Sequence, residues 1–186
     1  MSLELLLPVD EENLKWQSIL PKQILGKNIL VHTKNTGLPD LKGLKIVIIG
    51  LSETRNSFFE SDNYKVDNFR KVFYELYPGN WSLKIADLGN LPNGAKIEDT
   101  YFAIKEIGYH LKQMNIIPIF IGGSHDLIFP LYQVYQEFEQ LVNMVSVDRS
   151  FDFSQEDELI SGRSYMSKII MDLSLIHISE PTRLSL

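Results

Sequence analysis

Four runs of apolar, mostly β-branched residues alternate with helix-spaced segments, and that alternation leaves few folds open to this chain. The run LKIVIIG at 44–50 is continuous rather than alternating. Such a run predicts a strand covered on both faces, as in a parallel sheet. LKIADLGN at 83–90, NIIPIFIGG at 115–123 and LVNMVSVD at 141–148 predict three more strands, with Pro118 awkward inside the third. Between them, Val66, Phe69, Val72, Phe73 and Leu76 recur at helical spacing and are closed by Pro78-Gly79. A second stripe, Tyr101, Ile104, Ile107 and Leu111, predicts a helix over about 98–114. A third begins at Ser124 and carries Leu127, Leu131, Val134, Tyr135 and Phe138.

The order from Leu44 is β-α-β-α-β-α-β, so the expected fold is a three-layer αβα domain on a mostly parallel sheet. Ligands of such sheets bind beyond the carboxyl ends of the strands. The expected organisation is an irregular segment over 1–43, the α/β domain over 44–172 and a tail over 173–186. In the first segment, Asp10 is placed to cap a short helix from Glu11 to about Leu20, which Pro21 stops. The tail follows Met171-Asp172 with no turn chemistry and resembles translated adapter read-through, so it reads as non-native and His177 is left out of any site.

Composition narrows the function. Acidic residues outnumber basic ones 24 to 18, which argues against a nucleic-acid partner. No apolar run approaches the ~20 residues of a membrane span, and the N-terminus lacks the basic start of a signal peptide. With no cysteine there is no thiolate site or disulfide, which suits a cytoplasmic protein.

Two strand ends carry the residues suited to chemistry. After the third predicted strand comes Gly122-Gly123-Ser124-His125-Asp126; after the fourth comes Asp148-Arg149-Ser150-Phe151-Asp152. Neighbouring strands would bring His125, Asp148 and Asp152 to one point, and one imidazole with two carboxylates suits Mn²⁺ or a similar ion. Taken singly, the glycines make a tight turn, Ser124 and Asp126 cap a helix, and the aspartates are solvated. Gly122, Gly123 and Ser124 at a helix start also offer an anion site. His32 and His110 lack acidic partners at ligand spacing.

These segments resemble the ureohydrolase superfamily of arginase, agmatinase and formimidoylglutamase, with a formimidoylglutamase-like flavour. Its third-strand loop reads Gly-Gly-Asp/Asn-His-Ser/Thr, and GGSHD places His125 on the ligand histidine. Its next strand ends Asp-Ala-His-x-Asp; in DRSFD, Asp148 and Asp152 match the aspartates and Ser150 replaces a histidine. Phe69-Arg70 resembles the family's Ile-Arg pair, and Asp87-Leu88-Gly89-Asn90 its Asp-x-Gly-Asp. The similarity covers about 44–152 and implies an arginase-like sheet, incomplete at the C-terminus.

The resemblance implies a two-Mn²⁺ hydrolase of C–N bonds in linear amidines, with a small guanidino or formimino compound as substrate. Asp148 would bridge the ions, and His125 and Asp152 would serve the first. Ser150 is a degenerate position for the second, and the family's later Asp-x-Asp pair has no counterpart; Glu156-Asp157-Glu158 comes too soon. The expectation is therefore one ion at most and impaired hydrolysis, with no catalytic residue assigned. Against it stand a non-catalytic arginase-like protein kept for binding or assembly and an anion-binding α/β domain. The partners expected are the small molecule, no nucleic acid and no membrane, with a homo-oligomer left open for the full-length protein.

Overall fold

The computed structural model describes residues 2–57, 65–80, 82–138, 143–154 and 160–178. A one-turn helix at Ser2–Leu5 precedes α1 (Glu11–Ile19), whose first turn is capped by Asp10 accepting from the Asn13 N–H at 2.7 Å. Four strands follow: β1 (Leu30–Val31), β2 (Ile46–Leu51), β3 (Ile85–Leu91) and β4 (Ile117–Gly122). They form one parallel sheet in the order β1-β3-β2-β4. The helices between and after them are α2 (Asp67–Tyr74), α3 (Ile97–Gln113), α4 (Ile128–Glu137) and α5 (Tyr165–Ile178).

The apolar run at 44–50 becomes β2, the strand paired on both edges. Its Val47, Ile49 and Leu51 pack with Ile104, Ile107 and Leu111 of α3, while Ile48 is buried outside that cluster. The chain moves from β2 to β3 on one side, then crosses to β4 on the other. With right-handed crossovers that reversal puts α2 and α3 on opposite faces, giving three layers. The segment before the first predicted strand shares this core: Leu3 and Leu6 pack into it, and β1 extends the sheet beside β3.

The α2 face is held by a buried charge pair. Arg70 gives Nε and one terminal nitrogen to the two oxygens of Asp87, at 2.8 and 2.9 Å. Its other donors reach Asp67 Oδ1, Asn90 Oδ1 and the Gly89 carbonyl, so all five are used. Tyr74 donates its hydroxyl to Asp87 as well. Burial works against the Arg70 charge, but bonding to Asp87 outweighs it and raises the pKa above the ordinary guanidinium value. Burial and the Asp87 charge push the Tyr74 phenol up. The sequence matches at Phe69-Arg70 and Asp87–Asn90 thus meet as partners that tie α2 to β3. Gly89 is required there: its φ is +86°, and a Cβ would collide with the Leu7 carbonyl.

One expected strand has no counterpart among the described residues. Of the run 141–148, Leu141 and Val142 lie outside them, and 143–148 joins no sheet, with Val145 and Val147 exposed by 87% and 97%. Among the described residues β4 is consequently an edge strand, with Ile117 exposed by 63%. The Ile117 N–H turns inward to the Lys45 carbonyl at 2.9 Å, so the nitrogen of the next residue, Pro118, faces the free edge. A parallel neighbour would need a donor there, and proline has none. The same geometry explains why Pro118 is accommodated in β4: it costs no bond to β2.

The tail expected from 173 begins inside α5, and 179–186 lie outside the described residues, as does Glu156-Asp157-Glu158. No helix among the described residues is long and apolar enough to cross a membrane.

Candidate metal centre

β2 and β4 are neighbours, so the loops leaving their carboxyl ends lie side by side. After β4 the chain turns through Gly122 and Gly123, both at positive φ (96° and 73°). A Cβ on Gly123 would collide with the Leu127 side chain and sit 3.1 Å from the Glu53 carbonyl, so only glycine permits this approach. Ser124 does not cap the helix as its position suggested. Its N–H and hydroxyl turn to the Glu53 carbonyl, at 3.0 and 3.4 Å. His125 then begins a single 3₁₀ turn, His125–Leu127, that runs straight into α4.

The imidazole meets the second segment. His125 Nδ1 lies 3.0 Å from Asp148 Oδ2 and 3.5 Å from Asp152 Oδ2, and one ligand atom from each residue falls within 4.8 Å of the other two. The expected convergence therefore occurs, although no strand delivers Asp148. The His125 side chain is 54% exposed, while that of Asp152 is 3% exposed. Tyr165, at the start of α5, stands edge-on to the imidazole with ring centres 6.1 Å apart.

The carboxylates are oriented by their own segment. Asp148 Oδ1 accepts from the backbone N–H of Arg149 (2.6 Å) and of Ser150 (3.3 Å). Burial tends to raise its pKa, but those two N–H groups, His125 and Asp152 hold the carboxyl below its ordinary value. Asp152 has a φ of +49°, which costs a residue other than glycine conformational energy. Its Oδ1 accepts from the Ser150 hydroxyl at 2.7 Å.

This arrangement fits one small dication. Ligand bonds of about 2.1 Å at right angles place neighbouring donors about 3.0 Å apart, close to the two spacings at His125 Nδ1. One imidazole nitrogen and two carboxylate oxygens form the mixed set that manganese and its neighbours accept. The donors lie in the wall of a cavity of about 520 Å³, the size of a small-molecule site, which Arg149, Arg163 and Gly162 also line. The Ser150 hydroxyl, where the resemblance expected an imidazole, is bonded to Asp152.

Several residues of this neighbourhood carry no sequence signal of function. Glu53, buried in the loop after β2, is paired with Arg55 through both carboxylate oxygens and accepts from Thr100 at 3.0 Å. Asp126 is fully buried; it accepts from the Tyr101 hydroxyl at 2.5 Å, and its Oδ1 has no hydrogen-bond partner. Burial and Asp126 push the Tyr101 phenol up. Tyr101 belongs to an apolar stripe, which hides its hydroxyl, and Glu53 sits in a polar run that reads as ordinary loop. His32 is buried with Nδ1 3.0 Å from the Leu88 carbonyl, a structural role.

Comparison with known proteins agrees with this architecture. The family model of the arginase family matches residues 42–177. Among solved structures, a hypothetical agmatinase from Burkholderia thailandensis superposes with a TM-score of 0.66 at 19% identity, over 84% of this chain and 51% of that one. The formiminoglutamase of Trypanosoma cruzi with Mn²⁺ gives 0.65 at 17%, over 79% and 52%. The arginase of Medicago truncatula gives 0.60 at 14%, over 92% and 54%. The chain thus spans about half the length of each. A search of curated proteins finds no match.

Proposed function

Because this chain belongs to the arginase family, we propose that it holds one divalent ion, Mn²⁺ by its donor set, on His125, Asp148 and Asp152. The reaction in view is hydrolysis of a C–N bond in a small guanidino or formimino compound, carried out poorly or not at all by this chain. The observation that carries the reading is the meeting of three ligand atoms from two segments within 4.8 Å. A bound ion supplies a water of lowered pKa as nucleophile. The residues do the rest by position: the two carboxylates and the imidazole hold the ion at the mouth of the cavity, and Arg149 and Arg163 line the space beside it. In its cysteine-free composition the chain suits the cytoplasm.

Impairment follows from Ser150. A two-metal hydrolase needs ligands for both ions, and the only side chain here at the position of the missing imidazole is a hydroxyl bonded to Asp152. That bond favours a second reading, an arginase-like protein that binds rather than turns over its ligand. The anion-binding alternative is weaker, since the Ser124 N–H is already given to the Glu53 carbonyl. Assay of the manganese-loaded chain with arginine, agmatine and formiminoglutamate separates the readings. Turnover within the ordinary enzymatic range of ~1–10³ per second would refute impairment. Binding without turnover supports the second reading.

A further inference from the structure

The two halves of the candidate metal centre come from segments that share no strand pairing, and the loop after β2 is the element bonded to both. Glu53 and Asn56 sit three residues apart in it. The Glu53 carbonyl accepts from the Ser124 N–H (3.0 Å) and hydroxyl (3.4 Å), immediately before His125. Its side chain is fixed in turn: Arg55 N–H and Nε reach Oε1 at 3.0 and 2.9 Å, and Thr100 reaches Oε2 at 3.0 Å. Asn56 faces the other way. Its side-chain amide donates to the Ile160 carbonyl (2.6 Å) and to the Tyr101 hydroxyl (3.0 Å), while its own carbonyl accepts from the Gly162 N–H at 3.0 Å. The segment so held reaches the aspartates through the Arg163 carbonyl, which accepts from Ser154 N–H at 3.0 Å, two residues after Asp152.

We infer that Glu53 and Asn56 are positioning residues that set the separation of His125 from Asp148 and Asp152, and with it the affinity for the ion. Three features support this. The strand that would have fixed Asp148 is unformed at 143–148, so the aspartates depend on other anchors. The α3 residues Thr100 and Tyr101 brace Glu53 and Asn56 respectively, so the loop is locked to a rigid helix. Tyr101 also holds Asp126, the residue after His125, closing the circuit from Asn56 back to the histidine turn. Outer partners of this kind fix ligand geometry without touching the ion. The inference rests on the metal reading for its consequence, but its geometric part stands without any ion.

The test uses Mn²⁺ alone as probe on the purified chain with Asn56→Ala, Glu53→Gln and, as control, Ile107→Val in the core under α3. Manganese affinity should fall by ~10–100-fold in the first two variants and stay at the parent value in the control, although all three lower the thermal midpoint. Equal affinity in Asn56→Ala and the parent would overturn the proposal, as would an equal loss in the control. Crystal structures of the metal-free variants give the second reading. The His125 Nδ1 distances of 3.0 and 3.5 Å to the two aspartates should lengthen in Asn56→Ala. If they lengthen but the parent chain binds no Mn²⁺, the positioning role holds and the metal reading fails. If they do not change, the positioning role fails whatever the parent binds.

Discussion

Ser150 donates its hydroxyl to Asp152 Oδ1 at 2.7 Å, leaving Asp152 Oδ2 to face His125 Nδ1. The serine therefore orients one side chain of the candidate centre. Ser150→Ala should leave the Mn²⁺ stoichiometry at one and weaken binding by no more than the ~10–100-fold of an outer partner. Asp152→Asn should cost more than that. Equal losses in the two variants, measured by calorimetry, would show that the hydroxyl ligates the ion.

The Arg70–Asp87 pair predicts a large stability effect far from the centre. Both side chains are buried and every donor of the guanidinium is used. Removing one partner of such a pair costs about 3–5 kcal/mol, because the other charge is stranded. Asp87→Asn should lower the urea midpoint accordingly. Arg70→Lys should not rescue it, since an ammonium cannot replace five planar donors. A loss under ~1 kcal/mol in Asp87→Asn would mean that the cluster is solvated.

Glu53 predicts an acid limb. Burial alone would raise its pKa, but the bonds from Arg55 and Thr100 outweigh it, so the folded value lies below the ordinary 4.5. A carboxylate depressed by folding stabilises the protein above the unfolded pKa, and that contribution is lost as pH falls through the folded value. Urea midpoints should therefore drop more steeply below pH 4.5 in the parent chain than in Glu53→Gln. Parallel curves would contradict the pairing of Glu53 with Arg55 and Thr100.

The exposed apolar side chains of β4 predict self-association. Among the described residues no strand lies beyond β4, and Ile117 and Ile119 are exposed by 63% and 40%, an apolar surface open to a second copy. Ile117→Lys should reduce concentration-dependent light scattering while changing stability by no more than ~0.5 kcal/mol. Unchanged scattering would clear this surface of any part in association.

What could be read from the sequence follows from how local each signal is. β2 was legible because burial on both faces leaves an uninterrupted apolar run, and α3 because a 3.6-residue stripe needs no partner to be seen. His125 was legible because two glycines mark the turn that exposes it. The run 141–148 has the pattern of a strand, yet a ladder also requires a willing edge, and Pro118 on β4 is a long-range fact. Glu53 and Asn56 act through side-chain partners as far away in the sequence as Thr100 and Ile160, so nothing in the local sequence gives warning of their role. The Arg70–Asp87 pairing spans 17 residues and two elements, and only the register of α2 against β3 brings the two together.

Binding of a single ion by His125, Asp148 and Asp152 can be read from calorimetric titration of the purified chain with Mn²⁺, repeated on His125→Ala. The parent should take up one ion per chain and the variant none. Two ions in the parent, or binding that survives loss of His125, would contradict it.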